Sequence, residues 1–218
     1  MELFNILLTI HVACGGISIL LGLIILLTVK GNQGHKRIGN IYFYAMLVAA
    51  ILALPMSYLH PSYFLFIIGV FTSYMLLTGK RYLKKRSLSD VTPVDWLLTI
   101  IMLLFGAIFI GMGIQDIFQS KYFGIVFIVF GGLSLLFVGQ DYINFKGRSS
   151  VKNFWLTTHL QRMIGSYIAS VTAFLVVNNT FLPGVVAWLL PTIILVPLII
   201  YWSRKHEIKL KVKPDPSK

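Results

Sequence analysis

Seven apolar runs, each long enough to cross a bilayer, take up most of this chain. They fall at roughly 3–29, 39–59, 62–79, 94–114, 122–140, 157–178 and 184–202. A helix needs about 20 apolar residues to traverse the hydrocarbon. Its backbone N–H and C=O groups must find partners within the segment. These constraints predict an all-α integral membrane protein with seven transmembrane helices. Composition agrees: 57% of residues are hydrophobic and only 12% charged, where a soluble domain carries about a quarter charged. No stretch between runs is long enough for a globular catalytic domain.

The basic residues assign a direction to the spans. Of the 19 Lys and Arg, all but Lys121 and Arg162 fall in loops or a tail on one side. By the positive-inside rule the amino terminus lies outside and the carboxyl terminus in the cytoplasm. The formal charge of +12 is therefore topological. Each Lys or Arg gains about 1 kcal/mol beside an anionic leaflet. The partner implied is the lipid bilayer, and nucleic acid is not expected. The longest inner loop carries Lys84, Lys85 and Arg86, read as a solvated anchor. The transmembrane unit is expected over 1–203 and a basic tail over 204–218, disordered towards Pro214 and Pro216. Cys14 is the only cysteine, so no internal disulfide or cysteine cluster can form. The first run lacks a basic leader and a small-residue cleavage site, and reads as a retained span.

An approximate internal repeat is visible. Gly15-Gly16-Ile17-Ser18 in the first run parallels Gly131-Gly132-Leu133-Ser134 in the fifth, and Lys30-Gly31 and Lys146-Gly147 follow at the same offset. The second and sixth runs then open on His35-Lys36-Arg37-Ile38-Gly39-Asn40-Ile41-Tyr42 and on His159-Leu160-Gln161-Arg162-Met163-Ile164-Gly165-Ser166-Tyr167. This suggests a 3+1+3 parallel repeat, 1–80 and 122–203, around a connector at 94–114.

Ionisable groups inside the hydrocarbon cost roughly 2.5–3.5 kcal/mol on insertion scales unless paired, so the few present are site candidates. Arg162 lies about a turn into its span, three residues from His159 and on the same helical face. Its expected partner is an anion, either a propionate or a carboxylate such as Asp141. Gln161 belongs to the same polar group. His35 precedes the second run on the same side of the membrane. His11 lies about 12 Å deep at 1.5 Å per residue, where a backbone carbonyl would satisfy it. No mid-span Lys suits a Schiff base. No phosphate loop, zinc-hydrolase helix or serine elbow occurs.

The pattern of His11, then His35-x-Arg37-x-Gly39-x-x-Tyr42, then His159-x-x-Arg162-Met163 resembles a bacterial multi-pass membrane family known only as a domain of unknown function. The likeness spans most of the chain, rests on three short motifs and implies the bacterial plasma membrane. More distantly, histidines on several helices resemble the transmembrane cytochromes b. That resemblance implies one b-type haem near the cytoplasmic side. His35 and His159 would be axial ligands to its iron, Arg162 and Arg37 would pair with propionates, and Tyr42 or Tyr167 would donate hydrogen bonds. A quinone or a small soluble reductant would be the electron partner. Two other functions stay open: a small-solute transporter using the repeat interface, and a non-catalytic component that binds a partner protein. Nothing in the sequence sets an oligomeric state or an enzyme activity.

Overall fold

The computed structural model describes residues 2–209. They form seven long helices and, among the described residues, no β-strand: α1 (Glu2–Leu27), α2 (Gln33–Leu59), α3 (Tyr63–Tyr82), α4 (Pro93–Phe118), α5 (Gly124–Phe145), α6 (Phe154–Asn178) and α7 (Gly184–His206). A single 3₁₀ turn, Leu88–Asp90, precedes α4. Six of the seven (all but α3) are long and apolar enough to cross a membrane. These are the dimensions of an integral membrane protein.

Side chains set the helix starts. Asn32 caps α2 by accepting the His35 backbone N–H at 2.7 Å. Thr92 and Asp95 form a reciprocal capping box on α4, with Pro93 in the first turn where its missing N–H costs nothing. Several helices outrun their apolar segments. α2 begins six residues before the run at 39, and α5 continues to Phe145. Hydropathy reads the lipid-facing stretch, whereas a capped helix continues through polar residues beyond it. His35, Arg37, Asp141 and Asn144 are accordingly helical.

α3 is the innermost helix, packed against α2 and α6 and touching α4 and α5. Its buried residues include Ile67, Phe71, Tyr74, Met75, Leu76 and Tyr82. α4 and α5 run together along glycines: a Cβ on Gly113 would sit 2.8 Å from the Gly124 carbonyl, and one on Gly131 would sit 2.9 Å from that of Gly106. Such close backbone approach is how helices associate where lipid removes the hydrophobic drive. An aromatic core of Phe71, Phe109, Phe127, Phe130 and Trp188 joins α3, α4, α5 and α7. A second cluster, Tyr42, Phe43, Met46, Leu76 and Tyr167, joins α2, α3 and α6.

The basic termini of the helices gather at one end. Lys30 Nζ donates to the carbonyls of Ile25, Leu26 and Thr28 at 2.6, 2.7 and 2.9 Å, closing the C-terminus of α1, and lies over the Trp202 ring of α7. Lys152 N–H donates to Ile208 O at 2.7 Å, and Asn153 Nδ2 to His206 O at 2.7 Å. The start of the expected tail is therefore helical to His206 and then docked on the α5–α6 loop. Its Pro214 and Pro216 lie outside the described residues.

Lys85 departs from the solvated-anchor expectation. It is buried, with Nζ 2.7 Å from Asp95 Oδ1. Arg81 Nε reaches the same oxygen at 2.6 Å. Lys84 and Arg86 are exposed as expected. The difference arises because Asp95 is buried at the first turn of α4 and needs cationic partners.

Candidate functional site

Two polar sites lie side by side towards the basic end, on either side of α6. The first is a cavity of about 330 Å³ between α1, α2, α3 and α6. His35 and His159 both line it, with Lys36, Asn40, Tyr42, Lys80 and Tyr167, over apolar walls that include Ile25, Leu26, Phe43, Leu83 and Met163. His159 Nδ1 lies 2.8 Å from the Gly79 carbonyl, which leaves Nε2 for a ligand. His35 Nδ1 is buried without a hydrogen-bond partner. Tyr42 Oη bonds Ser166 Oγ at 2.8 Å, fixing the ring between α2 and α6. Gly22 also lines the cavity: a Cβ there would collide with the Tyr167 ring and crowd that of Tyr42.

The second site is a buried ion pair. Arg162 Nη2 lies 2.9 Å from Asp141 Oδ1, and both side chains are fully buried. Asp141 also accepts from the Tyr82 hydroxyl at 2.7 Å, the Thr99 hydroxyl at 3.1 Å and the Tyr74 hydroxyl. The Arg162 guanidinium rests 4.1 Å from the Phe137 ring centre and donates to Phe137 O at 2.9 Å. Asn144 Nδ2 continues the network to Tyr82 Oη and Thr158 Oγ1, both at 3.2 Å. Every oxygen of the carboxylate is thus bonded, as a buried charge requires. The network ties α3, α4, α5 and α6 together.

Of the sequence candidates, the cavity gathers His35, His159, Tyr42 and Tyr167. Arg162 lies outside its lining and is committed to Asp141. Arg37 is exposed and also outside it. Gln161 bridges α6 to its neighbours, accepting from Gln140 at 2.6 Å and donating to Ser203 Oγ at 3.3 Å. His11 Nδ1 lies 2.8 Å from Ala49 O, a helix-to-helix contact that belongs to neither site. Sequence reading passed over Tyr74, Tyr82 and Thr99, whose types carry no signal at span ends. It also passed over Lys36, Lys80 and Asn40, which only the convergence of α2 and α3 makes relevant. Among the described residues no group of three or more His, Cys, Asp or Glu is placed to hold a metal ion. No known protein family, curated protein or solved structure matches the chain.

Proposed function

We propose that this protein is a ligand-binding membrane protein of the redox type, with its working site in the histidine-lined cavity. The observation that supports this reading is that His35 and His159, on different helices, line one cavity together with Lys36, Asn40, Tyr42 and Lys80 and a set of apolar side chains. Core packing alone calls for no such arrangement. Small-molecule sites have this form and begin at about this size.

A b-type haem is the first occupant to test. A ligating imidazole holds its second nitrogen on a carbonyl, and Gly79 O stands at His159 Nδ1 in that manner. His35 would be the second ligand. Lys36 and Lys80 would meet the propionates in place of Arg162 and Arg37. Haem would supply one-electron transfer, with a quinone or soluble reductant as partner. The solute-carrier reading uses the same cavity. It draws on Pro55 in α2 and Pro191 and Pro197 in α7, which interrupt helices that would have to bend.

The 3+1+3 repeat remains part of the proposal. Ser18 and Ser134 are both fully buried and donate to carbonyls four residues back at 2.7 Å. Gly31 and Gly147 both take positive φ, +85° and +66°. The pairing of helices differs between the halves, since α1 lies along α2 and α5 along α4. The bacterial family likeness, the plasma membrane and the cytoplasmic basic end belong to the same proposal.

The deciding experiment is the absorption spectrum of protein purified in detergent, with haem supplied during expression. A Soret band that sharpens on dithionite reduction is expected, lost in His35→Ala and in His159→Ala. Colourless protein overturns the haem assignment.

A further inference from the structure

We propose that the cavity selects an amphiphile with an anionic head, a carboxylate or phosphate on an apolar body. This rests on the reading of the cavity as a ligand site and does not require iron.

The charge around the cavity carries the argument. Lys36, Lys80, His35 and His159 line it, and no Asp or Glu does. The chain has seven acidic residues; Asp215 lies outside the described residues, and Glu207, at the end of α7 after Arg204, Lys205 and His206, does not line the cavity. The other acidic residues towards the basic end are already held. Asp141 is held by Arg162 and three hydroxyls. Asp95 is held by Arg81 and Lys85. Asp90 is bound by its own turn. Glu2 and Asp116 sit on helix ends away from the basic termini. Lys80 Nζ has only the Asn40 side-chain oxygen as a neutral partner, together with the Phe43 ring at 5.3 Å. A lysine ammonium has three donors, so donors remain for an incoming anion.

The apolar walls then specify the body. Ile25, Leu26, Phe43, Leu83 and Met163 would be left wet by inorganic phosphate alone. The cavity sits at the end of the bundle where the basic residues gather, the level of a lipid headgroup. Two sources supply this chemistry: a single-chain lipid acid from the leaflet, and the propionates of a haem.

The test titrates protein purified in a nonionic detergent with dodecyl phosphate, dodecanol, inorganic phosphate and haemin, reading affinity calorimetrically. Dodecyl phosphate is expected to bind at least tenfold tighter than dodecanol, and inorganic phosphate not measurably. Lys80→Gln with Lys36→Gln should remove that preference, while Lys121→Gln leaves it. Haemin binding that weakens with the same pair of substitutions assigns the head to a propionate; insensitivity of haemin assigns it to the lipid acid. Gly39 lines the cavity, and a Cβ there meets no atom within 4 Å. Gly39→Leu should therefore block binding while the helix is kept. A photoactivatable fatty acid cross-linked to wild-type protein, with the label mapped to α2 or α6, covers a Gly39→Leu variant that fails to fold. Equal affinity for dodecanol and dodecyl phosphate overturns head selection and leaves the cavity as a site. Binding untouched by Gly39→Leu, or labels mapping elsewhere, overturns both.

Discussion

Arg162 and Asp141 are fully buried, and their surroundings are unequal. Without Arg162, the Asp141 carboxylate keeps hydroxyl donors from Tyr74, Tyr82 and Thr99. Without the carboxylate, the guanidinium keeps mainly the Phe137 carbonyl, because its Nε and Nη1 have no bonded partner. Breaking a buried pair by removing one charge costs about 3–5 kcal/mol. Asp141→Asn should fall at the top of that range and Arg162→Met below it. The double substitution should be less destabilised than Asp141→Asn alone, since no uncompensated charge is left. Thermal unfolding of the three variants in one detergent measures this order. Additive losses would mean that the pair is not coupled. Tyr82→Phe removes one neutral donor and should cost about 1 kcal/mol.

At the scale of the helices, glycine decides which contacts are close. A Cβ on Gly79 would lie 2.8 Å from Arg162 Cβ and 2.9 Å from Met163 Cε, so Gly79→Ala must push α3 away from α6. Overpacking of this kind costs about 1–3 kcal/mol. On α5, Gly139 faces nothing within 4 Å, and Gly139→Ala should stabilise by about 0.5–1 kcal/mol through helix propensity. Opposite shifts in melting temperature are expected, and equal ones would contradict the α3–α6 contact. The α3–α4 turn offers a pH test. The Ser87 backbone N–H, then its hydroxyl, holds Asp90 below the usual carboxylate range. A depressed folded pKa stabilises above the unfolded value near 3.9 and loses that contribution as pH falls through the lower folded value. Hydrogen exchange at 87–91 should therefore gain on its intrinsic rate below about pH 4, and Asp90→Asn should abolish the change. Helix number was legible in the sequence because lipid demands long apolar runs. Arg162, Asp141 and the two motif histidines were legible because polar groups there are expensive. Tyr74 and Tyr82 were not, since aromatic residues near span ends normally mark an interface. Lys85 was not, because its partner Asp95 lies ten residues on, beyond a turn whose path the sequence leaves open.

Across the whole molecule, helix order was hidden for a related reason. A soluble helix shows its inner face by being apolar on one side, whereas these helices are apolar on every side because lipid and core are equally apolar. α1 has little buried surface and α3 is enclosed, yet both read alike as runs of Leu, Ile and Phe. The charged ends are the part of the whole-molecule arrangement that sequence does encode. An odd number of helices puts the start of the first and the end of the last at opposite ends of the bundle, and the described Lys and Arg collect at one end apart from Lys121 and the buried Arg162. The proposal that this end is cytoplasmic rests on the insertion bias against carrying more than a dozen cations across the membrane. Single cysteines at Lys84 and at Lys121, each exposed, test this in a Cys14→Ser background. In intact cells an impermeant maleimide should label Lys121→Cys and spare Lys84→Cys until the membrane is opened. The reverse pattern would place the histidine cavity at the outer face, and its ligand would then have to come from the external leaflet.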